Sequence, residues 1–275
     1  MNSSIPLVTV LMPVYNGEKY LAESIESVLN QTYTNYEFLI LNDGSTDNSI
    51  NIINTFYDDR INLVTNSHNL GLTATLNKGI NIAKGRYIAR LDQDDISNKT
   101  RVELQVEYLI NNPDIVLVGT NCEYIDSKNT INGKWTTATT HFDIINSFYK
   151  QNPFAHSSVM FNKKKVINVG GYPKNYIYAQ DLALWIRICS KYRVANLNEN
   201  VTQIRIHDQQ VTFDNNLQQI KIAEELSLMK ESLNIPDLLY LTIFRIYVKI
   251  IRLIMVTIKK KYFNKIFFRL QLFHR

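Results

Sequence analysis

The sequence predicts an α/β fold, a mostly parallel sheet with helices on its faces. Three observations carry this prediction. Continuous apolar runs of strand length recur along the N-terminal part of the chain. Amphipathic stretches at helical spacing separate them, and turn clusters rich in Asn, Asp and Gly end each run.

The first run, Val8–Val14, is apolar throughout, and Tyr15-Asn16-Gly17 follows as a turn in which Asn16 or Gly17 suits a helix cap. Over residues 18–31, Leu21, Ile25, Val28 and Leu29 recur at helical spacing. A second run, Phe38-Leu39-Ile40-Leu41, stops at Asn42-Asp43-Gly44-Ser45-Thr46-Asp47, a cluster suited to capping a helix over residues 48–57. Ile61–Thr65 is a third strand. Asn69-Leu70-Gly71 then turns into a helix with Leu72, Leu76, Ile80 and Ala83 on one face, which Gly85 ends. Tyr87-Ile88-Ala89-Arg90-Leu91 is a fourth strand, closing at Asp92-Gln93-Asp94-Asp95.

The later part is less regular. Residues 100–110 read as a helix and residues 115–118 as a strand, and the polar stretch 120–140 reads as a loop or short hairpin. Residues 158–161 form an expected strand, 181–191 an apolar helix, and a short strand follows near Val194. Residues 217–233 are a further amphipathic helix.

In parallel α/β sheets ligands bind beyond the carboxyl ends of the strands. Asp43 and the cluster Asp92, Asp94, Asp95 fall at such ends, so the pattern alone gathers acidic residues at one rim. Carboxylates this close repel one another and gain from a cation or a set of donors. Hard oxygen ligands suit Mg2+ or Mn2+, which bridge to phosphate oxygens; the plain alternative is a turn with solvated Asp side chains.

Four motifs in order are Pro13-Val14-Tyr15-Asn16, Asp43-Gly44-Ser45-Thr46-Asp47, Asn69-Leu70-Gly71 with Asn77-Lys78-Gly79, and Asp92-Gln93-Asp94-Asp95. Together they resemble the donor-binding half of family 2 glycosyltransferases. Ala155-His156-Ser157-Ser158-Val159-Met160-Phe161, Gln180-Asp181-Leu182-Ala183-Leu184-Trp185 and Arg205-Ile206-His207 extend the resemblance over about residues 5–213.

The resemblance implies a GT-A-type nucleotide-binding sheet flanked by helices, with a C-terminal helical extension. Residues 1–110 would bind the nucleotide sugar, 111–215 the acceptor, and 216–275 would be a helical tail. It also implies an inverting transfer of one sugar from a nucleotide-diphospho-sugar, UDP-linked by expectation, to a hydroxyl of a glycan or lipid-linked acceptor in cell-surface polysaccharide assembly. Pro13, Val14, Tyr15 and Asn16 would line the nucleotide pocket, and Asp43 would meet the base. Asp92, Gln93 and Asp94 form the DxD segment, with Asp92, Asp94 and His207 on Mn2+ or Mg2+ and Arg205 near the diphosphate. Asp181 would be the catalytic base. His156 is a lesser candidate for acceptor or diphosphate contact, and Trp185 is expected in the core.

The sequence departs from the family pattern at three places. Gln180 replaces an acidic neighbour of the base, Ala183 a second acidic residue, and Leu76 an Arg, which weakens the inference of uracil in particular. The Gln-x-x-Arg-Trp motif of processive synthases is absent, in keeping with a one-sugar transfer. A nucleotidyltransferase would want a glycine-rich basic loop after the first strand, which Pro13 to Glu18 does not supply. A membrane-docked nucleotide-sugar-binding protein without transferase activity is the other alternative, and the retained Asp92, Asp94 and Asp181 argue against it.

Composition bounds the remaining possibilities. The 275 residues are 45% apolar and 20% charged, a globular balance. Two cysteines exclude a cysteine-rich zinc site or an iron–sulfur cluster. From residue 238 onward there are nine Lys and Arg and no acid, leaving the rest with 21 bases against 25 acids. A uniform nucleic-acid-binding surface would not concentrate its positive charge in this way. Arg245, Lys249 and Arg252 fall within about 60° of one another on a helix, a basic seam beside a wide apolar face that suits an anionic membrane surface. With no signal-peptide pattern at the start, the expected location is cytoplasmic, peripheral on the inner face of the membrane. A homo-oligomer is left open.

Overall fold

A computed structural model describes residues 5–148, 151–176 and 179–207. The sequence expectations for a helix over 217–233 and a basic tail lie outside the described residues. In chain order the elements begin with β1 (Val8–Val14), α1 (Leu21–Leu29), β2 (Tyr36–Asn42), α2 (Ser49–Ile53), β3 (Ile61–Thr65), α3 (Leu72–Ile82), β4 (Tyr87–Arg90) and β5 (Ile96–Ser97). They continue with α4 (Arg101–Asn111), β6 (Ile115–Ile125), β7 (Ile131–Trp135), α5 (His141–Ser147), a 3-10 turn (His156–Ser158), β8 (Met160–Asn162), α6 (Lys163–Asn168), α7 (Gln180–Cys189) and β9 (Arg193–Arg205).

The strands form one curled sheet in the order β3-β2-β1-β4-β8-β6-β9-β5, with β7 on β6. β1 is buried along its whole length, which is why its sequence is apolar at every position rather than alternating. Successive side chains still point to opposite faces. Val8, Val10, Met12 and Val14 share a cluster with Leu21, Ile25 and Val28 of α1 and Val102, Val106 and Leu109 of α4. Leu11 points the other way, toward α3. There a Cβ on Gly79 would lie 2.5 Å from Leu11 Cδ1 and Leu41 Cδ1, so only glycine lets α3 sit this close to β1 and β2. Each fully buried aliphatic of this core stabilises the fold by about 1.5–3 kcal/mol.

The chain order places the site. β1, β2 and β3 run outward in parallel, and α3 then carries the chain back so that β4 pairs with the other side of β1. The order therefore reverses between β1 and β4, and a crevice opens beyond their carboxyl ends. Tyr15 to Gly17 and Asp92 to Asp95 both lie there.

The second half differs from the mostly parallel expectation. β8 is antiparallel to β4 and β6, β6 and β9 are parallel, and β5 is antiparallel to β9. β6 runs on to Ile125 and makes a hairpin with β7, and β9 is 13 residues long rather than a short strand. Some of the polar groups that disguised β9 are satisfied by pairing: Asn196 Nδ2 donates to the carbonyls of Ala138 and Pro153. The helix expected over residues 48–57 is only Ser49–Ile53.

Candidate active site

Side chains rather than ladder bonds stitch the rim together. Gln93 pairs with the backbone of Tyr15 in both directions, its Oε1 accepting the Tyr15 N–H at 2.8 Å and its Nε2 donating to the Tyr15 carbonyl at 3.1 Å. A Cβ on Gly17 would stand 2.5 Å from Gln93 Oε1, so this approach requires glycine. Asn16 adopts φ +50 and accepts the Thr46 N–H at 2.9 Å, while its own N–H donates to Ser45 Oγ at 3.0 Å. Asp47 accepts from the Glu18 N–H and from the Ser49 N–H at the start of α2. Of the four residues expected to line a nucleotide pocket, Tyr15 and Asn16 are exposed at the rim, and Pro13 and Val14 are buried inside β1.

Asp43 is 3% exposed and already bound. Its carboxylate accepts from the backbone N–H groups of Leu70 and Gly71 and from Asn66 Nδ2, at 2.8–2.9 Å. It thereby fixes the turn that opens α3, a role absent from the sequence expectation. A carboxylate offers about four acceptor sites, so room for one further donor remains.

At the end of β4 the carboxylates converge. Asp92, Asp94 and Asp95 each bring an oxygen into a group whose members all lie within 4.8 Å of one another. Asp92 is gripped at both oxygens by the guanidinium of Arg90, a side chain buried to 1% exposure. Asp95 accepts the Arg205 N–H at 2.9 Å and the Ser157 hydroxyl. Asp94 meets His207 Nε2 at 2.9 Å, and the His207 ring tilts over Tyr20. Burial, then the neighbouring Asp92 charge, raises the pKa of Asp94 despite His207. Burial, then Asp94 and Asp92, pushes Asp95 well up.

These residues fit a divalent cation. The donors are hard oxygens with one imidazole, and three carboxylates crowd together with partners of their own that leave oxygen lone pairs to spare. Asp94 and His207 are the best placed, because both Asp92 oxygens are engaged by Arg90.

Arg205, expected near a diphosphate, is wholly buried. Nε donates to the Asp94 carbonyl, one terminal nitrogen to the Asp126 carbonyl and Asn129 Oδ1, and the other to Glu23 Oε2, with the guanidinium 4.4 Å above the Tyr20 ring. Every nitrogen is committed to protein, and the side chain locks the end of β9 to the acidic loop.

Asp181 lies in the first turn of α7, half-buried, and its Oδ2 accepts from Asn152 Nδ2 at 2.8 Å. Burial raises its pKa, while the Leu182 N–H, Asn152 and Arg90 pull the other way. Tyr172 is near enough to Asp92 and to Asp181 for both charges to raise its own pKa, after burial. Ser157 bonds Asp92 while Tyr172 packs against Trp185 of α7 and bonds His156 beside Ser157, so the acidic cluster and α7 share one neighbourhood. His156 bonds the Tyr172 hydroxyl at 2.7 Å and is held neutral by burial, then by Arg90. Trp185 is fully buried beside it.

Residues 9–171 match the sequence model of the family described as Glycosyl transferase family 2. The chain belongs to glycosyltransferase family 2. A Haemophilus influenzae protein named as an uncharacterized glycosyltransferase is 33% identical over 80% of this chain and 72% of its own. The Escherichia coli protein WfgD, a UDP-Glc:alpha-D-GlcNAc-diphosphoundecaprenol beta-1,3-glucosyltransferase, is 32% identical over 69% and 78%. The amylovoran biosynthesis glycosyltransferase AmsE of Erwinia amylovora is 30% identical over 94% of this chain and 98% of its own. Among solved structures, S. aureus TarS 1-349 in complex with UDP-GlcNAc has a TM-score of 0.65 at 16% identity. That match covers 80% of this chain and 65% of TarS 1-349, so the chain spans under two thirds of that structure. The likeness fixes the fold as that of the GT-A glycosyltransferases.

Three residues central to this family 2 site were missed from sequence: Arg90, Ser157 and Asn152. Arg90 carried a legible signal, a lone cation inside an apolar strand two residues before Asp92, which the pleat turns to the same face. Ser157 stood inside the quoted segment Ala155–Phe161 without a role, and Asn152 lies in irregular chain that no pattern marks.

Proposed function

We propose that the protein is an inverting, divalent-metal-dependent glycosyltransferase that moves one sugar from a UDP-sugar to a hydroxyl of a lipid-linked or glycan acceptor in polysaccharide assembly. The observation that carries this reading is the convergence of Asp92, Asp94, Asp95 and His207 on the rim that also holds Asp43 and Tyr15, with Asp181 close by. The donor half is assigned to residues 1–110, the acceptor half to 111–215 and a membrane-facing tail to 216–275.

Tyr15 and Asn16 offer the exposed surface for the nucleoside, and Asp43 keeps one acceptor site for the base. Asp94 and His207, with Asp92 alongside, would hold Mn2+ or Mg2+, which supplies positive charge beside the departing diphosphate. Asp181 removes the proton of the acceptor hydroxyl as that oxygen bonds to the anomeric carbon. The bond from that carbon to the diphosphate oxygen breaks, and the nucleoside diphosphate leaves with its electron pair. One displacement inverts the configuration, so an α-linked donor gives a β-linkage. The names of the relatives support the details: WfgD takes UDP-Glc, forms a beta-1,3 linkage and uses a diphosphoundecaprenol acceptor, and AmsE serves amylovoran biosynthesis.

A thermal-shift panel of nucleotide sugars with and without Mn2+ tests the donor, since a native-state ligand raises Tm. A UDP-sugar should give the largest shift, and only with Mn2+. Sugar-nucleotide turnover should disappear in Asp181→Asn, and wild-type turnover in that variant refutes the base. Liposome flotation of the full chain against residues 1–237 tests the proposed location at the inner face of the membrane; equal flotation refutes it.

A further inference from the structure

Asn152 begins the turn Asn152-Pro153-Phe154, just ahead of the 3-10 turn His156–Ser158. Its amide is held at both ends. Oδ1 accepts the Phe154 N–H at 3.2 Å across Pro153, an Asx turn, and Nδ2 donates to Asp181 Oδ2 at 2.8 Å. The turn decides which end of the amide faces the carboxylate, so a donor meets Asp181 from a segment 29 residues earlier. Among the described residues no second side chain donates to Asp181.

We propose that Asn152 is the positioning residue of the Asp181 carboxylate: it binds Oδ2, fixes the rotation of the group, and leaves Oδ1 as the oxygen that takes the acceptor proton. The inference rests on the reading of Asp181 as the base and deepens it. The contact also favours the ionised form, because the hydrogen bond is stronger to a carboxylate than to a carboxylic acid. Burial works against ionisation at this position. The other groups that face Asp181 among the described residues are Arg90 of β4, which favours the carboxylate, and the phenol of Tyr172, which burial keeps protonated. The Leu182 N–H of α7 favours the carboxylate more than Arg90 does, and the Asp181 N–H adds to it. Among the described residues, Asn152 is thus the neutral side chain that both orients the base and keeps it charged.

The test uses Asn152→Ser and Asn152→Asp in the full chain. Both keep an oxygen for the Phe154 N–H and remove the donor to Asp181. In protein labelled with 13C-aspartate, the Asp181 side-chain carboxyl resonance is assigned by its loss in Asp181→Asn and then titrated. Its midpoint should rise by about one pH unit in Asn152→Ser. In Asn152→Asp it should rise further, because a like charge then faces it. An unchanged midpoint overturns the proposal. With UDP-glucose, Mn2+ and water as acceptor, kcat at pH 7 should fall about tenfold and the acid limb of the rate profile should move up, with KM for UDP-glucose within twofold. A fall in kcat with the acid limb in place marks a merely structural turn and also overturns it. The two readings fail separately: an active Asp181→Asn refutes the base, whereas an inactive Asp181→Asn beside an unshifted Asn152→Ser refutes only the role of Asn152.

Discussion

Asn77 holds the backbone of Tyr172 from both sides. Its Nδ2 donates to the Tyr172 carbonyl at 2.8 Å and its Oδ1 accepts the Tyr172 N–H at 2.9 Å. The two residues are 95 apart in sequence, and the pair imitates one rung of a β-ladder with a side-chain amide. Thr73 adds a hydroxyl to the Tyr176 carbonyl. The helix that starts at the Asp43 turn therefore holds the segment leading to Asp181.

Asn77→Ala leaves a peptide N–H and a carbonyl without their partners, so a loss of about 1–3 kcal/mol is expected. Because the released segment precedes α7, kcat should drop more than donor affinity. Urea unfolding with a kcat and KM comparison decides this; equal changes in both constants, or none, would count against the coupling.

Removal of Asp92 and of Asp94 should act on stability in opposite senses. Asp92→Ala strands the buried Arg90 guanidinium, for a cost of about 3 kcal/mol, the lower end for a broken buried pair because Asp92 is partly exposed. Asp94→Asn relieves repulsion in the cluster, so the metal-free variant should melt at or above the wild-type temperature while losing its response to Mn2+. Calorimetry of the metal-free proteins provides the comparison, and matching losses in both variants would contradict the charge argument.

Metal stabilisation should depend on pH. Asp94 and Asp95 titrate higher in the folded chain than when unfolded, so their charged forms oppose folding above the folded pKa values. That penalty is relieved as pH falls through the folded values toward the lower, unfolded ones. Asp47 and Asp58 have the opposite sign: their lowered pKa values add stability that is lost in stronger acid. Protons and Mn2+ therefore compete for the cluster, and the Mn2+-induced rise in Tm should be larger at pH 7.5 than at pH 5. An equal rise at both would mean that Mn2+ binds elsewhere.

Gly17→Ala drives a Cβ into the Gln93 amide and should break its two bonds to Tyr15. Donor affinity is expected to weaken about tenfold, roughly 1.4 kcal/mol, with little loss of overall stability. Isothermal titration with the donor found in the thermal panel measures it; unchanged affinity would show that the Tyr15 turn does not need Gln93.

The donor half of the fold was legible because apolar runs and turn clusters alternate cleanly. Val8–Val14 and Ile61–Thr65 coincide with strands, and Asp43 and the acidic loop sit at strand ends. The second half hid its strands because β9 alternates Asn with apolar residues and depends on β6 for pairing. Two short helices carried unread signals. Thr140 caps α5 through the Asp143 N–H, and Asn162 caps α6 through the Lys165 N–H. At the site, residue types pointed to a cation but not to the surroundings of each carboxylate. Whether an Asp is free or clamped, as Asp92 is by Arg90, depends on contacts that spacing does not encode.

Arg205 has a consequence for how the enzyme comes into being. Its partners Glu23 and Asp95 precede it by 182 and 110 residues, so the acidic loop acquires its lock only when β9 has been made. A nascent chain stalled earlier on the ribosome would already carry Asp92, Asp94 and Asp95, yet would lack what fastens them. Contacts this distant also slow folding. Premature termination between Asp95 and β9 would thus yield a polypeptide with the whole donor motif and no lock on its acidic loop.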